Sequence, residues 1–265
     1  MKKLSVATVG LMALAAALQP AAAAEAEVPY GPPPVLYAPA PAVVIFTWTG
    51  FYFGAHVGGG WAHKTETAFP YNFVGDTINP AQFSLDASGW LAGGQIGAQY
   101  QAGSWVLGAE ADASGANLTG NGSCPSSSSL TGAQITGTCD VKVLGLGTFA
   151  GKLGAAFDRL LVYGKAGAAW AYNKYSMPGT FLATPFDLEG LSITTGWTAG
   201  GGVEWAFTPD WSARFEYDYY DFGNQTVTMS HVDPAGVTSF TGPMRFKQTV
   251  QMVKLGVNFR VPGWQ

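Results

Sequence analysis

The chain has 265 residues, of which 11% are charged and 14% aromatic, with 36 glycines. An ordinary soluble domain carries roughly 25% charged residues, so polar material here is too scarce to cover a soluble surface comfortably, and this much glycine argues against a helical bundle. With 13 basic against 17 acidic residues, the charge balance also argues against nucleic acid as a partner.

The chain opens on Lys2 and Lys3, an uncharged apolar stretch from Leu4 to Leu18, and the small-residue run Ala22-Ala23-Ala24. Residues 1–24 therefore read as a secretory signal peptide cut after Ala24; the run is short for a membrane anchor. Removing its two lysines leaves 11 basic and 17 acidic residues, net −6. Residues 25–47, EAEVPYGPPPVLYAPAPAVVIFT, hold six prolines. Proline fixes φ and removes a donor, so this stretch reads as an extended spacer on the periplasmic side. No later stretch approaches the ~20 apolar residues of a membrane helix. If the chain enters a membrane, it does so as strands.

From Trp48 onward, eight segments alternate with the period of two that marks a β-strand. They fall at about 48–63, 89–101, 105–114, 141–156, 160–172, 194–207, 211–222 and 248–261. The turns Ala102-Gly103-Ser104, Phe157-Asp158-Arg159 and Thr208-Pro209-Asp210 are short. The gaps 64–88, 115–140, 173–193 and 223–247 are long and rich in Asn, Ser, Thr, Gly and Pro, as loops are. Four long loops on one side, with three short turns and both chain ends on the other, predict an eight-stranded antiparallel transmembrane up-and-down β-barrel over 48–261, with 262–265 as a C-terminal extension.

Which face of each strand points inward decides the chemistry. In SARFEYDYYDFG (212–223), Arg214, Glu216 and Asp218 alternate with Phe215, Tyr217 and Tyr219. A soluble barrel would bury the aromatics; a membrane barrel would turn them to lipid. Across all strands the polar faces hold Glu110, Asp112, Glu204, Glu216 and Asp218 against Lys142, Lys152, Lys165, Arg214 and Lys254. Five acids balanced by five bases suit a closed interior, where charges must pair to offset desolvation. These ten are expected to form a lumen charge network. Phe51, Phe53, Trp105, Trp170, Trp197, Trp205, Phe215, Tyr217, Tyr219 and Phe259 are expected to face lipid, with Trp and Tyr near strand ends as an interfacial girdle. A lipocalin-like soluble barrel is the alternative fold.

Cys124 and Cys139, the only two cysteines, bracket a Ser-, Thr- and Gly-rich stretch. In an exported chain they are a disulfide candidate, whose closed loop would contribute ~3 kcal/mol in the entropy model. Metal binding is not expected, because no His or second Cys pair accompanies them. His56 is predicted to face the lumen, while His63 and His231 fall in loops. Gly147 to Leu153 superficially matches a phosphate loop, but the spacing is one residue short and Leu153 stands where Ser or Thr must be. Asn117-Leu118-Thr119 and Asn224-Gln225-Thr226 match glycosylation acceptors of a kind that arises by chance in polar loops.

Trp48-Thr49-Gly50-Phe51-Tyr52 after the proline-rich stretch, the hairpin TFAGKLGAAFDRLLVYGKAGAAWA (148–171) and the hairpin GWTAGGGVEWAFTPDWSARFEYDYYDFG (196–223) resemble the small porin-like outer-membrane proteins of alphaproteobacteria, the outer-membrane immunogenic, opacity-related proteins. Lys254, Gly256, Phe259 and Val261 resemble the C-terminal signal read by the outer-membrane assembly machinery, with Val261 at the position where that signal has Phe and residues 262–265 running past it. The resemblance implies an abundant, antigenic protein of the cell outer membrane that supports envelope integrity. Its expected partners are outer-membrane lipid and lipopolysaccharide, the assembly machinery, and host or surface ligands reached through the loops. No cofactor is expected. A small-solute porin is the second reading, and a lipid-modifying barrel enzyme centred on His56 a remote third.

Overall fold

A computed structural model of the chain describes residue 31 and residues 46–67, 71–73, 76–80, 82–181, 184–232 and 238–262. The expected signal peptide, nearly all of the proline-rich stretch and residues 263–265 lie outside the described residues. The strands are β1 (Gly50–Thr67), β2 (Tyr71–Phe73), β3 (Asp76–Pro80), β4 (Phe83–Ala102), β5 (Trp105–Ser128), β6 (Gln134–Phe157), β7 (Leu160–Phe181), β8 (Thr184–Ala206), β9 (Trp211–Val232) and β10 (Thr238–Arg260). All pair antiparallel. β1 joins β4 on one side and β10 on the other, so β1 and β4–β10 form a closed ring of eight. Closure leaves no open edge, the condition for strands to cross lipid. β2 and β3 form a small flap on the end of β5, where Ile78 stands opposite Ser128.

The turns that join the strands at the end near the chain termini are tight. Gly103, between β4 and β5, has φ +61°, and Asp158, between β6 and β7, has φ 54°. Left-handed backbone costs little at glycine and is tolerated by aspartate, whose short polar side chain bonds locally.

The segments expected as long loops are largely strand. β5 and β6 run 24 residues each and β10 runs 23. At ~3.3 Å per residue and a tilt near 40°, such strands make a barrel wall about 60 Å tall. An apolar band is only about 25 Å tall, so half of the barrel stands clear of the membrane. The polar composition of these segments belongs to their outer face. Leu85, Leu118, Val141, Tyr175 and Phe246 point inward between exposed Ser84, Asp86, Asn117, Thr119 and Lys247.

The two halves are dressed oppositely. In the lower half, toward the short turns, large apolar side chains cover the outside: Phe53 and Trp61 on β1, Ile96 on β4, Leu153 on β6 and Leu255 on β10 are all exposed. The expected outward residues Phe51, Trp105, Trp170, Trp197, Trp205, Phe215 and Tyr217 are exposed, while Tyr219 and Phe259 are outward but half-buried against neighbours. Phe259 packs between Phe53 and Trp211. In the upper half the outside is mainly polar, with Leu191 and Ile193 exposed on β8, and the inside is mainly an apolar core built on Leu118, Val143, Tyr220, Phe222, Val250 and Met252, with Lys64 and Glu66 buried beside it.

Lys142 requires a correction. It lies on the exposed outer face, not in the lumen. Thr148 and Lys152 point inward at even numbers on β6, but Val141 and Val143 point inward at odd ones. An extra residue between Val143 and Gly145 relative to β7 switches the parity; a bulge of one residue sends every later side chain to the opposite face. β9 switches likewise at Gly223 (φ +60°), whose amide donates to Asp221 Oδ1 at 2.7 Å, so that Val227 re-enters the core.

The described strands begin at Gly50 rather than Trp48. Trp48 turns into the lower mouth, fully buried against Val106, Leu161 and Tyr163. Its ring N–H donates to the Asp158 carbonyl at 3.1 Å. Cys124 and Cys139 are joined in a disulfide across β5 and β6 in the upper half, with Cα atoms 5.8 Å apart. Ser128 Oγ donates to Asp76 and holds the β3 flap.

Two outcomes check this arrangement. Phe215→Asp places a charge in the apolar band and should lower unfolding free energy in lipid vesicles by about 2 kcal/mol, read by urea titration. Glu66, in the upper half beyond Trp61, is buried with both carboxylate oxygens unpartnered. Burial pushes its carboxyl from the ordinary 4.5 up to about 8. The folded state then holds a proton that the unfolded chain lacks between those values, so stability falls as pH rises through that window. Glu66→Gln should therefore match the parent near pH 4 and unfold at higher temperature than the parent near pH 9.

Candidate functional site

The interior of the lower half is the most concentrated chemistry in the described residues. Strand alternation brings Glu110 and Asp112 from β5, Lys152 from β6, Lys165 from β7, Glu204 from β8, Arg214, Glu216 and Asp218 from β9, and Lys254 from β10 into one buried cluster. Lys165 Nζ lies 2.7 Å from Glu216 and 3.3 Å from Asp218. Lys254 Nζ lies 2.6 Å from Asp218 and 3.0 Å from Glu216. Arg214 reaches across the lumen to Glu110 at 2.5 Å and along its own strand to Glu216 at 3.4 Å. Lys152 pairs with Glu204 at 3.0 Å.

Neutral groups complete the network. The Tyr52 hydroxyl donates to Glu110 at 2.7 Å and the Tyr163 hydroxyl to Glu216 at 2.7 Å. Thr148 donates to Asp112, and Ser212 donates to Glu204 at 2.5 Å. Lys152 also stands 3.8 Å from the centre of the Tyr163 ring, a cation–π contact. With Lys142 outside, five acids face four bases here. Arg260, which the sequence reading passed over, supplies a further buried cation at the lower mouth. Its guanidinium donates to the Thr47 carbonyl at 2.7 Å and lies over Phe46 and Trp48. The signal for Arg260 was its even position on the last strand, in phase with Lys254 and Asn258.

His56 faces the lumen but meets no carboxylate. Its Nδ1 is 2.6 Å from Gln95 Oε1, which can only accept, so Nδ1 carries the proton and Nε2 accepts from Ser114 Oγ at 2.7 Å. Gln95 Nε2 then donates to Asn258 Oδ1 at 2.7 Å, and Asn258 Nδ2 to Glu204 Oε1 at 2.8 Å. The relay orients a neutral imidazole inside a closed interior. His63 is not in a loop: it stands on the outer face of β1, 2.6 Å from Asp86. The His231 side chain lies outside the described ones. Among the described residues, no group of three or more His, Cys, Asp or Glu is placed to hold a metal ion.

What the arrangement does physically is fill the tube. The apolar core seals it above, the ionic cluster fills the middle, and Trp48 with Phe46, Val106 and Leu161 closes the lower mouth. Breaking a buried pair by removing one partner costs about 3–5 kcal/mol, because the other charge is left uncompensated. Arg214→Leu should therefore lower the unfolding midpoint of the refolded barrel strongly, and Arg214→Leu combined with Glu110→Leu should recover part of that loss.

Sequence comparison with known proteins agrees with this architecture. The family profile described as "Outer membrane protein beta-barrel domain" matches residues 34–259. The 31 kDa outer-membrane immunogenic protein of Brucella melitensis is 30% identical over 81% of this chain and 84% of its own length. The 25 kDa outer-membrane immunogenic protein of Brucella abortus is 28% identical over 94% of this chain and 97% of its own. Among solved structures, the outer membrane protease OmpT of Escherichia coli aligns at 8% identity and a TM-score of 0.49, covering 82% of this chain and 98% of that one. OprG of Pseudomonas aeruginosa aligns at 13% identity and a TM-score of 0.42, covering 80% and 97%. The chain belongs to the outer-membrane β-barrel domain family and is a protein of the outer membrane.

Proposed function

We propose that this protein is a non-conducting outer-membrane anchor that carries a tall, rigid, antigen-like surface structure. The observation that supports the reading is the filled interior. A water path would need to pass the buried Leu118, Val143, Phe222 and Met252, then the ion-paired Arg214, Lys165 and Lys254, then Trp48. A barrel of eight strands leaves a lumen just wide enough for side chains. The name outer-membrane immunogenic protein borne by the Brucella relatives fits a half-barrel that stands above the lipid and presents ordered polar walls.

The proposed partners follow from position. Outer-membrane lipid and lipopolysaccharide surround the apolar band, and surface or host ligands would meet the upper half and its tips. For the assembly machinery, the final strand offers Gly256 and outward Phe259, followed by Val261 just past its end, with Lys254 turned inward. A solute porin is the second reading, and it would need the interior to rearrange. A lipid-modifying centre at His56 is not favoured, because Gln95 and Ser114 enclose that ring inside the barrel.

Planar-bilayer recording on the refolded chain tests the reading. The expected result is a heat-modifiable, inserted barrel that gives no discrete current steps. Stable, uniform steps would overturn the anchor in favour of the porin.

A further inference from the structure

The outer wall of β10, β1 and β4 carries a second constellation, separate from the lumen and just above the apolar band. Register alone builds it. Trp61 stands opposite Ser88 on β4 and Gln251 on β10; His63 stands opposite Asp86 and Thr249; Thr65 stands opposite Ser84 and Lys247. All nine side chains lie on the outer face. At the lower edge of the grid Trp61, with Trp90 beside it on β4, exposes its ring to the band. A surface groove of about 310 Å³ runs along Trp61, His63, Asp86, Ser88, Thr249 and Gln251.

The distances within this grid have the order of a nucleophile, a base and an orienting acid. Asp86 Oδ1 lies 2.6 Å from His63 Nδ1. A carboxylate can only accept, so the Nδ1 proton points to Asp86 and the Nε2 lone pair points away from it. Nε2 lies 3.4 Å from Thr65 Oγ1, and Thr65 Oγ1 lies 3.3 Å from Ser84 Oγ. Nucleophile–base contacts are commonly this loose before substrate tightens them. Lys247, opposite Thr65 in register and exposed, puts a positive charge on the neighbouring strand. Gln251 is held by the Tyr217 hydroxyl, which donates to its Oε1 at 2.9 Å and leaves the amide N–H groups for the groove. A surface Asp–His pair is ordinary by itself. What distinguishes this one is a hydroxyl on the far ring nitrogen, a cation on the strand opposite that hydroxyl, and a position directly beside the exposed rings of Trp61 and Trp90.

We infer that His63, Asp86 and Thr65 form a hydrolytic site on the barrel's outer wall, whose substrate is a carboxylic acyl ester of an outer-leaflet lipid. Thr65 Oγ1 attacks the acyl carbonyl while its proton passes to His63 Nε2. The ester C–O bond breaks, and the lipid alcohol leaves with that proton. Water then attacks the acyl-threonine, giving its proton to the same nitrogen; the Thr65 ester bond breaks, the fatty acid departs, and the hydroxyl is restored. The sum is one ester and one water converted to one alcohol and one acid. Asp86 is a positioning residue that holds the ring and stabilises the imidazolium. Trp61 and Trp90 seat the acyl chains.

The test uses the full refolded chain in two vesicle types: phosphatidylethanolamine, and phosphatidylethanolamine containing purified lipopolysaccharide. Free fatty acid is measured by mass spectrometry, and folding of each variant is checked by heat modifiability. The expected result is release above protein-free vesicles, with the preferred vesicle type identifying the lipid. His63→Ala should lower the rate about 100-fold or more. Thr65→Ala should abolish both turnover and covalent labelling by a fluorophosphonate, while Thr65→Ser keeps both. Asp86→Asn should lower kcat with little change in KM. Release no faster than from protein-free vesicles with either lipid, or folded His63→Ala and Thr65→Ala barrels as active as the parent, would overturn the assignment.

Discussion

A strand that crosses lipid has no choice about where its polar side chains go, and this single constraint organises the molecule. Hydrocarbon accepts only the apolar face, so the charges within the crossing segments turn inward, and Asp221, opposite Trp197 at the upper girdle, is the outward exception. Once inside, those charges are out of reach of bulk water and must satisfy one another. The ring of eight strands is narrow enough that they can. Arg214 reaches Glu110 from the far side of the ring, and Lys165 and Lys254 share Glu216 and Asp218 between them. The ion pairs are thus the counterpart of the lipid-facing aromatics, strand by strand.

The same logic reverses at the upper aromatic girdle. Beyond Trp61, Trp90 and Trp170 the outer face meets water and the inner face is mainly apolar, with Lys64 and Glu66 as buried charged exceptions. Leu118, Val143 and Phe222 take the place that Glu110, Lys152 and Arg214 hold below. The hydrophobic effect drives both halves, but it points outward in one and inward in the other. The protein is a membrane barrel continued, without a break in its strands, as a soluble one.

The crossing segments were legible in the sequence because their alternation is strict and their turns are short. Arg214–Asp218 against Phe215–Tyr219 stated its own facing once the other strands were aligned with it. The protruding segments were not legible as strand, because Ser, Thr, Asn and Gly on an exposed face have the composition of loops while the inward Leu, Val and Tyr between them are few. Lys142 was misplaced for a different reason: a one-residue bulge leaves no mark in a period-of-two pattern until the partner strand is known. Trp48 was read as the first strand residue, whereas it turns in to fill the lower mouth. The Asp86–His63–Thr65 grid depends on cross-strand register between distant segments, which no local pattern encodes.

The disulfide carries a consequence for biogenesis. Cys124 and Cys139 lie on the portion of β5 and β6 that ends outside the cell, whereas thiols of an exported chain are oxidised in the periplasm. The bond therefore closes before the barrel does. A β5–β6 hairpin stapled in this way carries the pairing of its upper half with it, whatever the state of the other strands. Two cysteines thus fix one hairpin of the eight-stranded ring covalently, while the other seven pairings rest on hydrogen bonds and packing alone.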